Sequence, residues 1–116
     1  MPQNRNKLIE LLIGNLANVI LHQILEQASD DPDVTLKYRK EIEASWKLAK
    51  KYREQIHPLK HPFPEIQLDT IRKRLLNKVK AKLSIRIAKG YKNLYVNQAK
   101  RWIDEALKKL NITKDS

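Results

Sequence analysis

Four cations recur at every fourth residue in the second half of this 116-residue chain: Arg74, Lys78, Lys82 and Arg86. On a helix such a row runs along one flank, its members about 6 Å apart at 1.5 Å of rise per residue. Cations at that interval suit a polyanion. Each Lys or Arg that meets a phosphate neutralises it and releases a condensed counterion, with no reading of base sequence. Arg72 precedes the row, and Lys89, Lys92, Lys100 and Arg101 follow it. Residues 70–103 carry eleven basic side chains and no acidic one. Residues 1–70 carry ten of each sign, so the net charge of +11 comes wholly from the remainder, with fourteen basic and three acidic side chains. A surface kept only for solubility interleaves the two signs, and like charges four residues apart on a helix repel. The run is therefore expected to face outward as one strip and meet nucleic acid, or failing that an acidic protein.

Tyr91 lies between Lys89 and Lys92, where a ring could stack on an unpaired base. Tyr95 and Trp102 fall on an apolar stripe and are expected in the core, as are Tyr38, Trp46 and Tyr52. The candidate nucleic-acid-binding set is thus Arg72, Arg74, Lys78, Lys82, Arg86, Lys89, Lys92, Lys100 and Arg101 at phosphates, with Tyr91 stacking.

Other chemistries lack their parts. With no cysteine there is no disulfide, thiolate nucleophile or sulfur-ligated zinc. His57 and His61 sit in a proline-rich stretch, so they do not share a helical face as zinc ligands do, and no Glu follows His57. His22 is expected to be simply hydrogen-bonded. Two glycines, Gly14 and Gly90, cannot build a glycine-rich phosphate loop. Asp30, Asp31 and Asp33 read as turn and helix-capping residues. No catalytic residue, metal or cofactor is expected, and the protein is taken as a non-enzyme.

The elements that must carry the cations follow from periodicity and breaks. Asp30-Asp31-Pro32-Asp33 and the segment from His57 to Pro64 interrupt the chain, the second with three prolines that suit a surface loop. Lys89-Gly90 is a helix stop with Gly90 left-handed. The pattern predicts an all-α, four-helix, mostly antiparallel bundle in a single domain, residues 1–116. Its helices are expected at about 6–28, 32–56, 69–88 and 91–110, with Asp69 capping the third. Apolar residues cover more than half of the first helix. It is either the most buried helix or one that also meets another copy of the chain. The second carries Tyr38, Ile42, Trp46, Ala49, Tyr52 and Ile56 on one face and a mixed-charge outer side that includes Arg53 and a Glu43–Lys47 pair.

In the third helix Ile71, Leu75, Val79, Leu83 and Ile87 form a ridge beside the cations. Residues 79–87 also alternate as a strand would, but the helix formers of 72–78 and the lack of a sheet to join favour helix. The fourth places Tyr91, Leu94, Tyr95, Ala99, Trp102, Ile103, Ala106, Leu107 and Leu110 on one face. No secretory signal is evident, and Glu10 would be costly in a bilayer, so a cytoplasmic protein without a membrane role is expected.

In size, in the wide apolar first helix and in the acid-free run from Arg72-Lys73-Arg74 to Lys100-Arg101, the chain resembles the small helical subunits of CRISPR effector complexes. The resemblance covers the whole chain as a type and involves no sequence motif. It implies a non-catalytic, antiviral-defence role: stabilising target or displaced-strand DNA by backbone contacts, next to identical copies and a larger subunit, with RNA the other strand the cations would suit. The HEPN ribonucleases, also small helical bundles, need an arginine, four to six residues and a histidine. Arg53 to His57 leaves three and Arg53 to His61 seven, so neither fits.

Overall fold

The computed structural model describes residues 5–56, 63–92, 94–110 and 112. These contain four α-helices and no strand: α1 (Arg5–Ala28), α2 (Pro32–Ile56), α3 (Glu65–Ala88) and α4 (Ala99–Lys109), the last entered through one 3₁₀ turn, Val96–Gln98. The all-α bundle expected from periodicity is what forms. His57, His61 and most of the proline-rich stretch lie outside the described residues.

α1 is the central helix. Leu12, Ile13, Leu16, Ala17, Val19, Ile20 and Ile24 are all but sealed from solvent, and α1 packs against α2, α3 and α4. By length and composition it is apolar enough to cross a bilayer, yet its apolar side chains are spent on the other three helices. Its breadth therefore does not require a second copy.

Only residues 29–31 separate α1 from α2, which turns back antiparallel and packs along it, with Arg39 paired to Glu26 at 3.1 Å and the His22 and Tyr38 rings 5.7 Å apart. Asp31 starts it: Asp31 Oδ1 accepts from the Asp33 N–H at 3.0 Å, and Pro32 takes the first helical position. His22 Nδ1 lies 2.7 Å from the Asn18 carbonyl oxygen. α3 runs parallel to α1, because residue 5 meets residue 67 and residue 10 meets residue 74. α4 runs antiparallel to α3: Arg72 meets Asp104, and the Phe63 N–H donates to the Ile112 carbonyl at 3.1 Å.

Four expectations are corrected. α3 begins at Glu65, not at Asp69. Pro64 takes the position before the helix with φ −56° and ψ 147°, which fits an entering chain, and no side chain caps the start. The Glu65 carboxylate in the first turn compensates the helix dipole, and Asp69 lies inside α3, exposed. Phe63, expected in a surface loop, is buried.

The fourth helix starts eight residues later than 91. Tyr, Lys, Asn, Leu, Tyr, Val and Asn at 91–97 include few strong helix formers, and Tyr95 is extended, its N–H held by Gln98 Oε1 at 3.2 Å. Extended chain also shortens the way back. The last turns of α3 add about 1.5 Å per residue outward, whereas an extended return covers about 3.3 Å per residue.

Finally, Arg53 is not on the outer side of α2. It is 3 % exposed, its Nε donates to the Leu110 carbonyl at 2.8 Å, and its guanidinium lies 4.8 Å from the centre of the Phe63 ring. It ties α2 to the C-terminal end of α4, where a cation complements free carbonyls. Burial pushes its pKa down, and the neighbouring Glu54 carboxylate works against that shift.

Candidate nucleic-acid interface

α3 positions most of the cations, and its two ends treat them differently. Ile71, Leu75, Val79 and Leu83 are fully buried, so the ridge predicted from spacing anchors the helix for three turns. Beyond Leu83 the ridge leaves the body: Ile87 is 40 % exposed, and Ser84, Ile85 and Ala88 are exposed too. The last turn of α3 and the segment after it form a projecting tip.

At the base of α3 the two arginines have partners. Arg74 Nη2 lies 3.6 Å from Glu10 Oε1 on α1, and Arg72 Nε lies 3.4 Å from Asp104 Oδ1 on α4. The latter contact is an ion pair without the alignment of a hydrogen bond, and it leaves Arg72 Nε buried and unsatisfied. Lys100 faces Arg72 and Lys73 across a groove of ≈210 Å³ between α3 and α4. Asp69 and Asp104 line the same groove, which dilutes its positive charge. Arg101 does not line this groove and lies 3.8 Å from Glu105 one turn on and over the Trp102 ring at 5.8 Å. The acid-free stretch in sequence is thus answered in space by Glu10, Asp104 and Glu105.

From the middle of α3 to its tip the cations meet no acid among the described residues. Lys78, Lys82, Lys89 and Lys92 have no carboxylate within 4.0 Å among the described residues, and all but the half-buried Lys82 are exposed. Gly90, at φ +97°, ends the helix. The Tyr91 N–H donates to the Arg86 carbonyl at 3.2 Å and the Gly90 N–H to the Ile87 carbonyl at 3.0 Å, a Schellman closure. Arg86 folds back onto Tyr91, its guanidinium carbon 5.3 Å from the ring centre and its Nη1 donating to the phenol oxygen at 3.2 Å. One face of Tyr91 is therefore occupied by a cation, and the residue remains 42 % exposed.

The ten predicted residues do not make one continuous strip. Lys82, Arg86, Lys89, Tyr91 and Lys92 come together at the tip, and Arg74 and Lys78 lead toward it along the α1 flank. Arg72 and Lys100 belong to the α3–α4 groove, and Arg101 lies outside it. Tyr95, expected in the core, is 58 % exposed in the segment after the tip, and Ile85 in the last turn of α3 is 56 % exposed. The signal for Ile85 and Ile87 lay in the alternation of 79–87. Wound as a helix, alternating apolar residues spread around the circumference, and the narrow core ridge cannot take them all. Comparison with known proteins finds no matching family, no similar characterised protein and no similar solved structure.

Proposed function

We propose that the protein is a non-catalytic nucleic-acid-binding subunit that grips the phosphate backbone of a single strand, DNA or RNA, with the tip of α3 and the turn after it. One observation carries this reading. Lys78 and Lys82 along α3 and Lys89 and Lys92 at its projecting end have no carboxylate partner among the described residues, and the rings of Tyr91 and Tyr95 are exposed in the segment that follows. Backbone contacts of this kind hold and orient a strand but specify little sequence, and the tyrosines offer stacking surfaces that any base accepts. Arg72, Arg74 and Arg101 contribute less, because a phosphate must compete with the carboxylate each already meets. In size and helicity the reading agrees with the resemblance to small CRISPR effector subunits, which would place the protein beside larger partners in a ribonucleoprotein assembly.

The test is a binding titration against single-stranded DNA, single-stranded RNA and duplex DNA over a range of salt. If about five cations, Lys78, Lys82, Arg86, Lys89 and Lys92, each neutralise one phosphate, log K against log salt has a slope of about −3.5 on single strands. A slope near zero refutes the reading.

A second reading rests on Ile85 and Ile87. Phosphate contacts have no use for exposed isoleucines, whereas an acidic, amphipathic segment of a protein partner would cover them and neutralise the lysines around them. Under that reading Ile85→Ser with Ile87→Ser abolishes capture of the partner. Under the first, it leaves strand binding within about twofold.

A further inference from the structure

We infer that the open groove between α1, α2 and α4 is a binding site for a small planar heteroaromatic molecule bearing an anionic group, a ligand of the mononucleotide class. Its volume of ≈550 Å³ falls within the roughly 300–1,000 Å³ of small-molecule pockets. The chain has two tryptophans, Trp46 on α2 and Trp102 on α4, and both line it. Both are half-buried, in a molecule whose sealed core is aliphatic apart from Phe63. An aliphatic pair would serve a core seam as well. Two indoles at a groove wall instead supply flat faces for another ring.

The polar groups around the indoles point the same way. Gln23 and Gln27 on α1 are one turn apart and share a face. Their amides and the Glu43 carboxylate make no hydrogen bond or ion pair among the described residues. The Glu43–Lys47 pair expected along α2 does not close, and Glu43 instead lines the groove. Lys109 places its ammonium 5.3 Å from the centre of the Trp46 ring and meets no carboxylate among the described residues. Arg39 and Glu26 satisfy each other on one wall, and Ser29 Oγ accepts from the Asp31 N–H at 3.2 Å within its own turn.

Each simpler ligand leaves some of these groups idle. A hydrocarbon would bury the amides and charges without partners, at a cost for each. Inorganic phosphate would satisfy Lys109, meet repulsion from Glu43 and ignore both indoles. A flat ring whose ring N–H and amino groups donate to Glu43, which as a carboxylate only accepts, engages that carboxylate and an indole face together, with its acidic substituent on Lys109. Among nucleotides the donor edge of guanine fits Glu43 best.

The experiment follows the two indole N–H resonances of the full chain during titration with guanosine monophosphate. Both resonances are expected to move and saturate. Glu43→Gln and Lys109→Ala each weaken the apparent affinity about tenfold, the effect of losing one charge-assisted hydrogen bond. Guanosine, lacking the phosphate, binds the unaltered chain about as weakly as the monophosphate binds Lys109→Ala. The tip variant Lys82→Gln/Lys89→Gln/Lys92→Gln keeps the full indole response, because the site is separate from the strand-binding tip. Stationary indole resonances would overturn the inference. So would equal shifts with inorganic phosphate, or a response lost in the tip variant.

Discussion

The two ends of α3 share one helix, one ridge spacing and one cation spacing, and they do opposite things. From Ile71 to Leu83 the apolar row is sealed against α1 and α4, and the flanking arginines meet Glu10 and Asp104. From Ser84 onward the same periodicities continue in solvent, and Lys89 and Lys92 meet no acid among the described residues. Whether a run of cations is a scaffold feature or an interface is therefore decided by its neighbours. The run itself carries no such information, since acids distant in sequence neutralise part of it.

The contrast breaks most visibly in the core ridge. Leu75→Ala removes a fully buried side chain and is expected to cost about 2–5 kcal/mol. Ile87→Ala, more than three turns along the same ridge, stays within about 0.5 kcal/mol. Denaturant midpoints of the two variants check this, and similar losses would mean that the end of α3 is packed after all. Next in size is the split in binding. Neutralising Lys82, Lys89 and Lys92 to Gln is expected to weaken single-strand binding about a hundredfold, close to 2.7 kcal/mol. Neutralising Arg72, Arg74 and Arg101 leaves it within about threefold. If the two triples lose equal affinity, the tip is not privileged and the charge acts as a diffuse field.

Much of this was legible from spacing. α2 falls at 32–56 as the Asp-Pro break and the apolar face require. Gly90 is left-handed because a helix stop followed by a reversal needs that conformation. Helix periodicity placed Ile71, Leu75, Val79 and Leu83 together correctly, since an i+4 row is fixed by local geometry alone. What spacing could not supply was the length of α3 relative to its neighbours. A ridge is buried only as far as another helix accompanies it, so Ile87 obeys the period and still faces water. The fourth helix was misread at its start for a related reason. Tyr91 and Tyr95 fit its apolar stripe, but the chain there must travel back along α3, and an extended segment does so in fewer residues. The ion pairs of Arg72 and Arg74 were equally invisible, because Glu10 and Asp104 lie outside the run and reach it only through the fold.

Arg53 shows the same limit from the other side. A charged residue among Lys50, Lys51 and Glu54 reads as surface, yet it is the buried link from α2 to the Leu110 carbonyl and the Phe63 ring. Arg53→Ala leaves that carbonyl without its donor and is expected to cost about 1–3 kcal/mol, read from thermal or denaturant unfolding. Arg53→Lys recovers little, because an ammonium cannot lie flat on the ring while bonding the carbonyl. A neutral result for Arg53→Ala would show that the α4 end is held by Phe63 and Ile112 alone.

The smallest effect is also the one that most sharpens the distinction between base and tip. The Arg74–Glu10 pair spans 3.6 Å with both side chains about half in water, so its coupling energy in a double-mutant cycle is expected to be only about 0.2–1 kcal/mol. Its consequence for binding is larger than its contribution to stability. Removing the carboxylate with Glu10→Gln frees Arg74 at the head of the row that leads through Lys78 to the tip. One more cation then competes for phosphate, and the salt slope on single strands is expected to steepen by about 0.7. A slope unchanged by Glu10→Gln would mean that the strand never reaches the α1 flank, confining the interface to Lys82 and the turn beyond it.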